Sequence, residues 1–214
     1  MFISFEGIEG SGKSTQMKLL AEHLKARGRD VLCTYEPGGT PIGNAIRKIL
    51  LDPANEMDSG TELFLIMSSR RQLVEQVIRP ALESGRTVLS DRFVDSSFAY
   101  QAFGRGLPEE MVSALARWAC GEVWPRYTIL FDLPAAEGLA RSLKTEKAEA
   151  KAGQADRIER SGVEFMERVR QGFLELARRE PERFIIVPVT GNVQETFSHM
   201  ISGFLSRSGA SESP

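Results

Sequence analysis

The sequence predicts a three-layer α/β fold, with a five-stranded parallel sheet and helices on both faces. Five short apolar runs recur along the chain, and stretches with apolar residues at helical spacing separate them. The runs are apolar at successive positions rather than alternating, as suits strands covered on both faces. Strands that alternate with helices imply parallel pairing.

The runs are Phe2 to Glu6, Asp30 to Tyr35, Thr87 to Asp91, Tyr127 to Leu133 and Phe184 to Val189. Lys13 to Arg27 repeats apolar residues at Met17, Leu20, Ala21 and Leu24. Val163 to Arg179 does so at Met166, Val169, Phe173, Leu176 and Ala177. A chain of 214 residues suits one core rather than two, so one domain is expected over residues 1–205. The segment KTEKAEAKAGQ, Lys144 to Gln154, has almost no large apolar side chain and is expected as either a mobile flap or an exposed helix extension. Residues 206–214, SRSGASESP, have the composition of a disordered tail.

Hydrophobic residues at 42% and charged residues at 26% match an ordinary soluble globular protein. A net charge of -2 argues against a broad basic face for nucleic acid or an anionic membrane, but leaves room for a small basic pocket. Cys33 and Cys120 lie in apolar stretches and are expected as reduced core thiols, and no Cys/His cluster has zinc-ligand spacing. The N-terminus lacks the pattern of a signal peptide, and no window of about 18 apolar residues exists. The expected location is cytoplasmic.

The strongest chemical signal is GIEGSGKS, Gly7 to Ser14, which fits G-x-x-x-x-G-K-[ST]. An anion is held by main-chain N–H groups that converge on it, and glycine permits the turns this requires. Lys13 adds a point charge for the β- and γ-phosphates, and the Ser14 hydroxyl suits Mg²⁺. The helix that follows directs its positive end at the same phosphates. An apolar strand before the loop and an amphipathic helix after it supply the required context, so the expected fold is that of a P-loop NTPase.

Open parallel sheets bind ligands beyond the carboxyl ends of their strands. There the second run leads into Glu36-Pro37-Gly38-Gly39, the third ends in Asp91-Arg92, and the fourth ends at Asp132. Asp91 is placed to orient Mg²⁺ or its waters, and Arg92 to clamp a phosphate through two parallel bonds. Asp132 stays open between structure and function. Arg70 falls four residues after Ile66 on an apolar stripe, so it must be paired or must line a pocket.

Together these residues resemble the bacterial thymidylate kinases, from Phe2 to about Phe204. The pieces are GIEGSGKST, EPGGTPIGNAIRKILL, RRQLVEQVIRPAL, LSDRF, AYQ-x-x-GRG and ADRIE before a long helix. The resemblance implies ATP-dependent phosphorylation of dTMP to dTDP with Mg²⁺, by a homodimer. It implies an ATP site at Gly7, Ile8, Glu9, Gly10, Ser11, Gly12, Lys13, Ser14 and Thr15, with Arg141 on the helix before a short lid at about 144–160. It places Glu9 near the substrate sugar and Arg92 on the substrate phosphate, with Arg47 and Glu36 nearby. Arg70 and Ser97 fall at base contacts, Tyr100 against the deoxyribose, and Gln101 beside it. Ser14 and Asp91 form the metal set. The catalytic residues are expected to be Lys13, Arg92, Glu9 and Arg157.

Three departures bear on this expectation. Tyr35 stands where the family commonly has arginine, and Ile66 where it has a stacking aromatic. The lid offers Lys144, Lys147 and Lys151, with Arg157 and Arg160 beyond them, and lysine lacks the planar fork. Weaker selectivity for thymine is therefore expected. The alternatives are a kinase of another nucleoside monophosphate and a nucleotide-binding protein with decayed catalysis. A GTPase would need N-K-x-D, which is absent from the chain.

Overall fold

A computed structural model describes residues 1–148 and 157–208. Strand β1 (Phe2–Glu6) leads through the glycine loop to α1 (Lys13–Ala26) and then β2 (Val31–Tyr35). Helices α2 (Pro41–Leu51), α3 (Ser59–Leu73) and α4 (Arg79–Glu83) follow, the last two joined by a π-helical turn over Val74–Ile78. Next come β3 (Thr87–Asp91) and α5 (Val94–Ser97), which runs into a π-helical stretch, Phe98–Gly104. The remainder is α6 (Glu109–Cys120), β4 (Tyr127–Asp132), α7 (Ala135–Ala148), α8 (Gly162–Arg179), β5 (Phe184–Pro188) and α9 (Val193–Ser208).

The five strands form one parallel sheet in the order β2-β3-β1-β4-β5. Alternation along β1 divides its side chains between two cores. Ile3 and Phe5 pack with Leu20 and Leu24 of α1 and Met200 and Phe204 of α9. On the other face Phe2 packs with Leu63, Leu73 and Ile78 and with Val112 and Ala116 of α6. A third cluster joins Leu130 and Phe184 to Phe165, Val169 and Phe173 of α8. The predicted layers and strand count are those of the structure.

Local chemistry sets the helix starts near the site. Thr40 caps α2 by accepting from Gly43 N at 3.0 Å, and Pro41 occupies the first turn, where a missing N–H is harmless. Asp58 caps α3 through Gly60 N at 2.9 Å and Thr61 N at 3.1 Å.

Several expectations are corrected. Strands β2 and β5 form the sheet edges, so Cys33, Tyr35 and Ile186 are exposed rather than covered on both sides. Cys120 is a buried thiol, whereas Cys33 is not in the core. Residues 206–208 of the expected tail are instead helical, because α9 runs to Ser208. The Tyr127 hydroxyl donates to Arg207 O at 3.3 Å, and the Arg207 side chain donates to the carbonyls of Pro181 and Phe184. Of the expected lid, residues 144–148 continue α7, while 149–156, including Lys151, lie outside the described residues, as do 209–214 of the tail. Among the described residues no helix is long and apolar enough to cross a membrane.

Candidate active site

Register brings the site together. Phe5 of β1 pairs with Asp91 of β3, so the glycine loop emerges beside Asp91 and Arg92 at the centre of the sheet. Gly7 has φ +136, and a Cβ there would lie 2.5 Å from Phe131 O. At Gly10, φ +72, a Cβ would lie 2.2 Å from Gly138 O of α7. Side chains at either position would lever the loop off β4 and α7.

Helix α1 begins without a capping side chain, because Gly12 occupies the cap, and its first turn holds no acidic residue. The first amides, through Ser14 and Thr15, are therefore left for an anion. Ser11 Oγ donates to Ile8 O at 2.8 Å, and Lys13 Nζ donates to the same carbonyl at 2.7 Å. Burial, followed by the like charge of Arg92, lowers the Lys13 pKa to about 8 against the pull of Asp91, Glu9 and Glu6. Ser14 Oγ donates to Asp91 Oδ2, uniting the two residues expected at a metal.

Beside the loop, the backbone turns left-handed at Arg92, with φ 70. For a residue with a Cβ this costs about 1 kcal/mol or more. Arg92 N donates to Phe5 O at 3.0 Å and Phe93 N to Glu6 Oε1 at 2.7 Å, which holds the turn. The guanidinium donates to Gly7 O at 3.0 Å, Ser96 Oγ at 3.2 Å and Glu9 Oε1 at 2.7 Å, and lies 4.9 Å from the Tyr100 ring centroid. Burial opposes its charge, but Tyr100, Glu9, Glu6 and Asp91 raise its pKa. Burial also works against the Glu9 carboxylate, yet Arg92 and Lys13 hold it below its usual range. The Tyr100 hydroxyl donates to Glu9 Oε2 at 2.8 Å.

The cavity between loop and arginine has a volume of about 420 Å³. Its far end is built around Arg70, 1% exposed. Arg70 donates to Glu36 Oε2 through Nε at 2.8 Å and Nη2 at 2.6 Å, to Phe93 O at 3.0 Å and to Ser97 Oγ at 2.8 Å. Both sequence readings of Arg70 thus meet in one residue, which is paired and also lines the cavity. Burial raises the Glu36 pKa while Arg70 opposes the rise. Arg47 donates to Pro37 O at 3.1 Å and lies over the Tyr35 ring, and Gln101 Nε2 donates to Glu62 Oε1 at 2.8 Å. Ile66 lines the cavity with Leu51 and Ile158.

Two expected positions differ, and a third, left open, is now placed. Arg157 does not face the glycine loop: its Nε donates to Leu50 O at 2.9 Å and its Nη2 to Glu62 Oε2 at 2.6 Å. A carboxylate only 2% exposed is the stronger attraction for a nearby guanidinium. Arg141 is half-exposed on α7, 3.8 Å from Glu137, and is not among the cavity residues, although Gly138 one turn earlier meets the loop. Asp132, left open above, pairs with Arg170 at 2.6 Å.

Sequence reasoning passed over Glu6 and Glu62. Glu6 accepts from Phe93 N and from Ser96 Oγ at 2.6 Å beneath Arg92. Burial and the neighbouring Asp95 push its pKa to about 8, against bonds from Ser96 and Phe93 and the Arg92 charge. A carboxylate closing a fully buried strand was the available signal. For Glu62 it was the stripe that marked Arg70, since 62, 66 and 70 share one helical face.

Two anion-binding ends that face one cavity are what phosphoryl transfer requires, one for the donor's phosphates and one for the acceptor. The fold and this arrangement define a P-loop phosphotransferase. Residues 5–200 match the family model for thymidylate kinase. A thymidylate kinase of Pseudomonas putida is 45% identical over 97% of this chain and 99% of its own. One of Halothermothrix orenii is 46% identical over 96% and 98%. The crystal structure of thymidylate kinase from Ehrlichia chaffeensis superposes with a TM-score of 0.76 at 31% identity, covering 95% of this chain and 97% of that one. The chain belongs to the thymidylate kinase family.

Proposed function

We propose that this protein transfers the γ-phosphoryl group of ATP to dTMP, giving ADP and dTDP. The observation that carries the proposal is that Lys13 and Arg92 line one cavity, on loops that the β1–β3 register holds side by side. The loop amides and Lys13 hold the β- and γ-phosphates of ATP. Arg92, with Arg47 nearby, holds the phosphate of dTMP so that one of its oxygens attacks the γ-phosphorus in line. The bond from that phosphorus to the β-bridging oxygen breaks, and ADP leaves. Glu9 and Tyr100 orient Arg92 and border the space for the sugar. The far end, with Arg70, Ser97 and Gln101, receives the base.

Ser14 and Asp91 fit Mg²⁺, which takes hard oxygen ligands and draws the remainder from water and phosphates. Among the described residues no group of three or more His, Cys, Asp or Glu forms a metal cluster, consistent with so sparse a protein contribution. The ion would neutralise charge on the β- and γ-oxygens. A homodimer is supported by apolar side chains exposed on three helices, Ile42 and Ile49 of α2, Phe64 of α3 and Trp118 of α6, the last 71% exposed. We place the reaction in the cytoplasm, where two free cysteines are ordinary.

A coupled assay with dTMP, dUMP, UMP and AMP tests the function. We expect the highest kcat/KM with dTMP. Because Ile66, Leu51 and Ile158 offer no stacking ring, dUMP should follow within about tenfold, the low end of what one methyl group can decide. Turnover with none of the four overturns the proposal, and dUMP rejected by about a hundredfold or more would refute the weakened selectivity.

The Lys13 pKa of about 8 adds a pH dependence. Lys13 is charged below that value and neutral above it, so kcat/KM for ATP should hold up to about pH 8 and fall by up to about tenfold per unit beyond. Bound phosphates restore the proton, so kcat should fall less. Lys13→Arg keeps its charge and should remove this alkaline limb from whatever activity remains; an unchanged limb in that variant assigns it to another group.

A further inference from the structure

Glu62 opens α3 with its side chain 2% exposed, and no step of the proposed reaction uses it. Its Oε2 accepts from Arg105 Nη2 at 3.2 Å and from Arg157 Nη2 at 2.6 Å, while Oε1 accepts from Gln101 Nε2 at 2.8 Å. Burial opposes the charge, but the Gln101 bond and the two guanidinium groups outweigh it and keep Glu62 below the usual carboxylate range. An ionised carboxylate can only accept hydrogen bonds. The amide of Gln101 therefore has one allowed orientation, NH₂ toward Glu62. Gln101 also lines the cavity, beside Ser97 and Arg70, and Glu62 does not.

We propose that Glu62 is a positioning residue for base selection: it locks the Gln101 amide so that the carbonyl oxygen is the edge offered to the base. A carbonyl there accepts from a pyrimidine that carries hydrogen on N3, as thymine and uracil do. Cytosine presents a lone pair at N3 and meets acceptor with acceptor. Left free, the amide could turn over and serve either base. The two arginines keep Glu62 charged, and one of them, Arg157, lies toward the end of the span expected as the lid, so the lock joins three parts of the chain. This inference rests on the dTMP reading above.

The test is the ratio of kcat/KM for dTMP to that for dCMP, in which the folded fraction of a preparation cancels. Glu62→Gln can donate as well as accept, so it should release Gln101 and lower the ratio by about tenfold or more. The change should fall mainly on KM, since Lys13 and Arg92 are untouched. In a Gln101→Ala background the same substitution should leave the ratio where Gln101→Ala alone puts it. The pair E62Q/Q101E conserves charge and still offers the cavity an acceptor, so its ratio should stay within about threefold of wild type. If Glu62→Gln alone does not fold, this pair carries the test. An unchanged ratio in Glu62→Gln, an equal fall in the Gln101→Ala background, or a ratio lost in the exchanged pair overturns the inference. Wild-type protein that turns over neither pyrimidine overturns the parent reading with it, and the two failures are thereby told apart.

Discussion

Lys13→Ala should lower kcat by at least about 10³-fold while the protein stays folded. The ammonium sits at the mouth of α1, 2.7 Å from Ile8 O inside the loop, where burial reduces solvent screening. Charge that develops on the β- and γ-oxygens would lose its one side-chain cation from the loop, since the proposal assigns Arg92 to the other substrate. Stability should change little or rise, since a buried cation whose pKa is pulled down to about 8 is held at some cost to the fold. Single-turnover kinetics at saturating ATP, read beside a thermal melt, checks both parts. A variant with near-normal turnover would remove Lys13 from the mechanism and the loop from its role as donor site.

Arg92 carries the second large effect, and it should fall on the acceptor. Arg92→Ala removes the cation proposed to hold dTMP and deprives Glu9 of a 2.7 Å partner. We expect kcat/KM for dTMP to fall by about 10³-fold, and stability by about 2 kcal/mol. Arg92→Lys keeps a charge without the fork that meets Glu9, Gly7 O and Ser96 together, so it should recover about tenfold of that loss. ATP binding, measured by calorimetry without dTMP, should stay within about threefold of wild type in both variants. Equal losses of ATP and dTMP binding would mean instead that Arg92 chiefly holds the loop through Gly7 O.

The difference between what was legible and what was not follows the range of the interactions. The glycine loop could be read because all its parts lie within eight consecutive residues, and the strand and helix around it have the periodicities of buried elements. Asp91 and Arg92 could be read because both end an apolar strand, and ligands meet parallel sheets at those ends. Arg157 was misplaced because a guanidinium in a polar stretch gives no sign of which anion it will reach. The competing carboxylate, Glu62, lies 95 residues earlier. Cys33 was misplaced because an edge strand and a central strand can carry the same apolar letters. Edge and centre differ in strand order, which is set by crossovers and not by composition.

The amino-acid sequence alone determined the parallel α/β class, the P-loop motif between β1 and α1, and the polar residue types that close the strands beside it. Each of these is encoded in local periodicity or in a short motif. The tertiary structure decided which polar groups meet: Lys13 and Arg92 on one cavity, Glu36 with Arg70, and Glu62 with Gln101, Arg105 and Arg157. Electrostatic partnership depends on a few ångströms of distance and on burial, and both exist only once strands far apart in the chain have been brought into register.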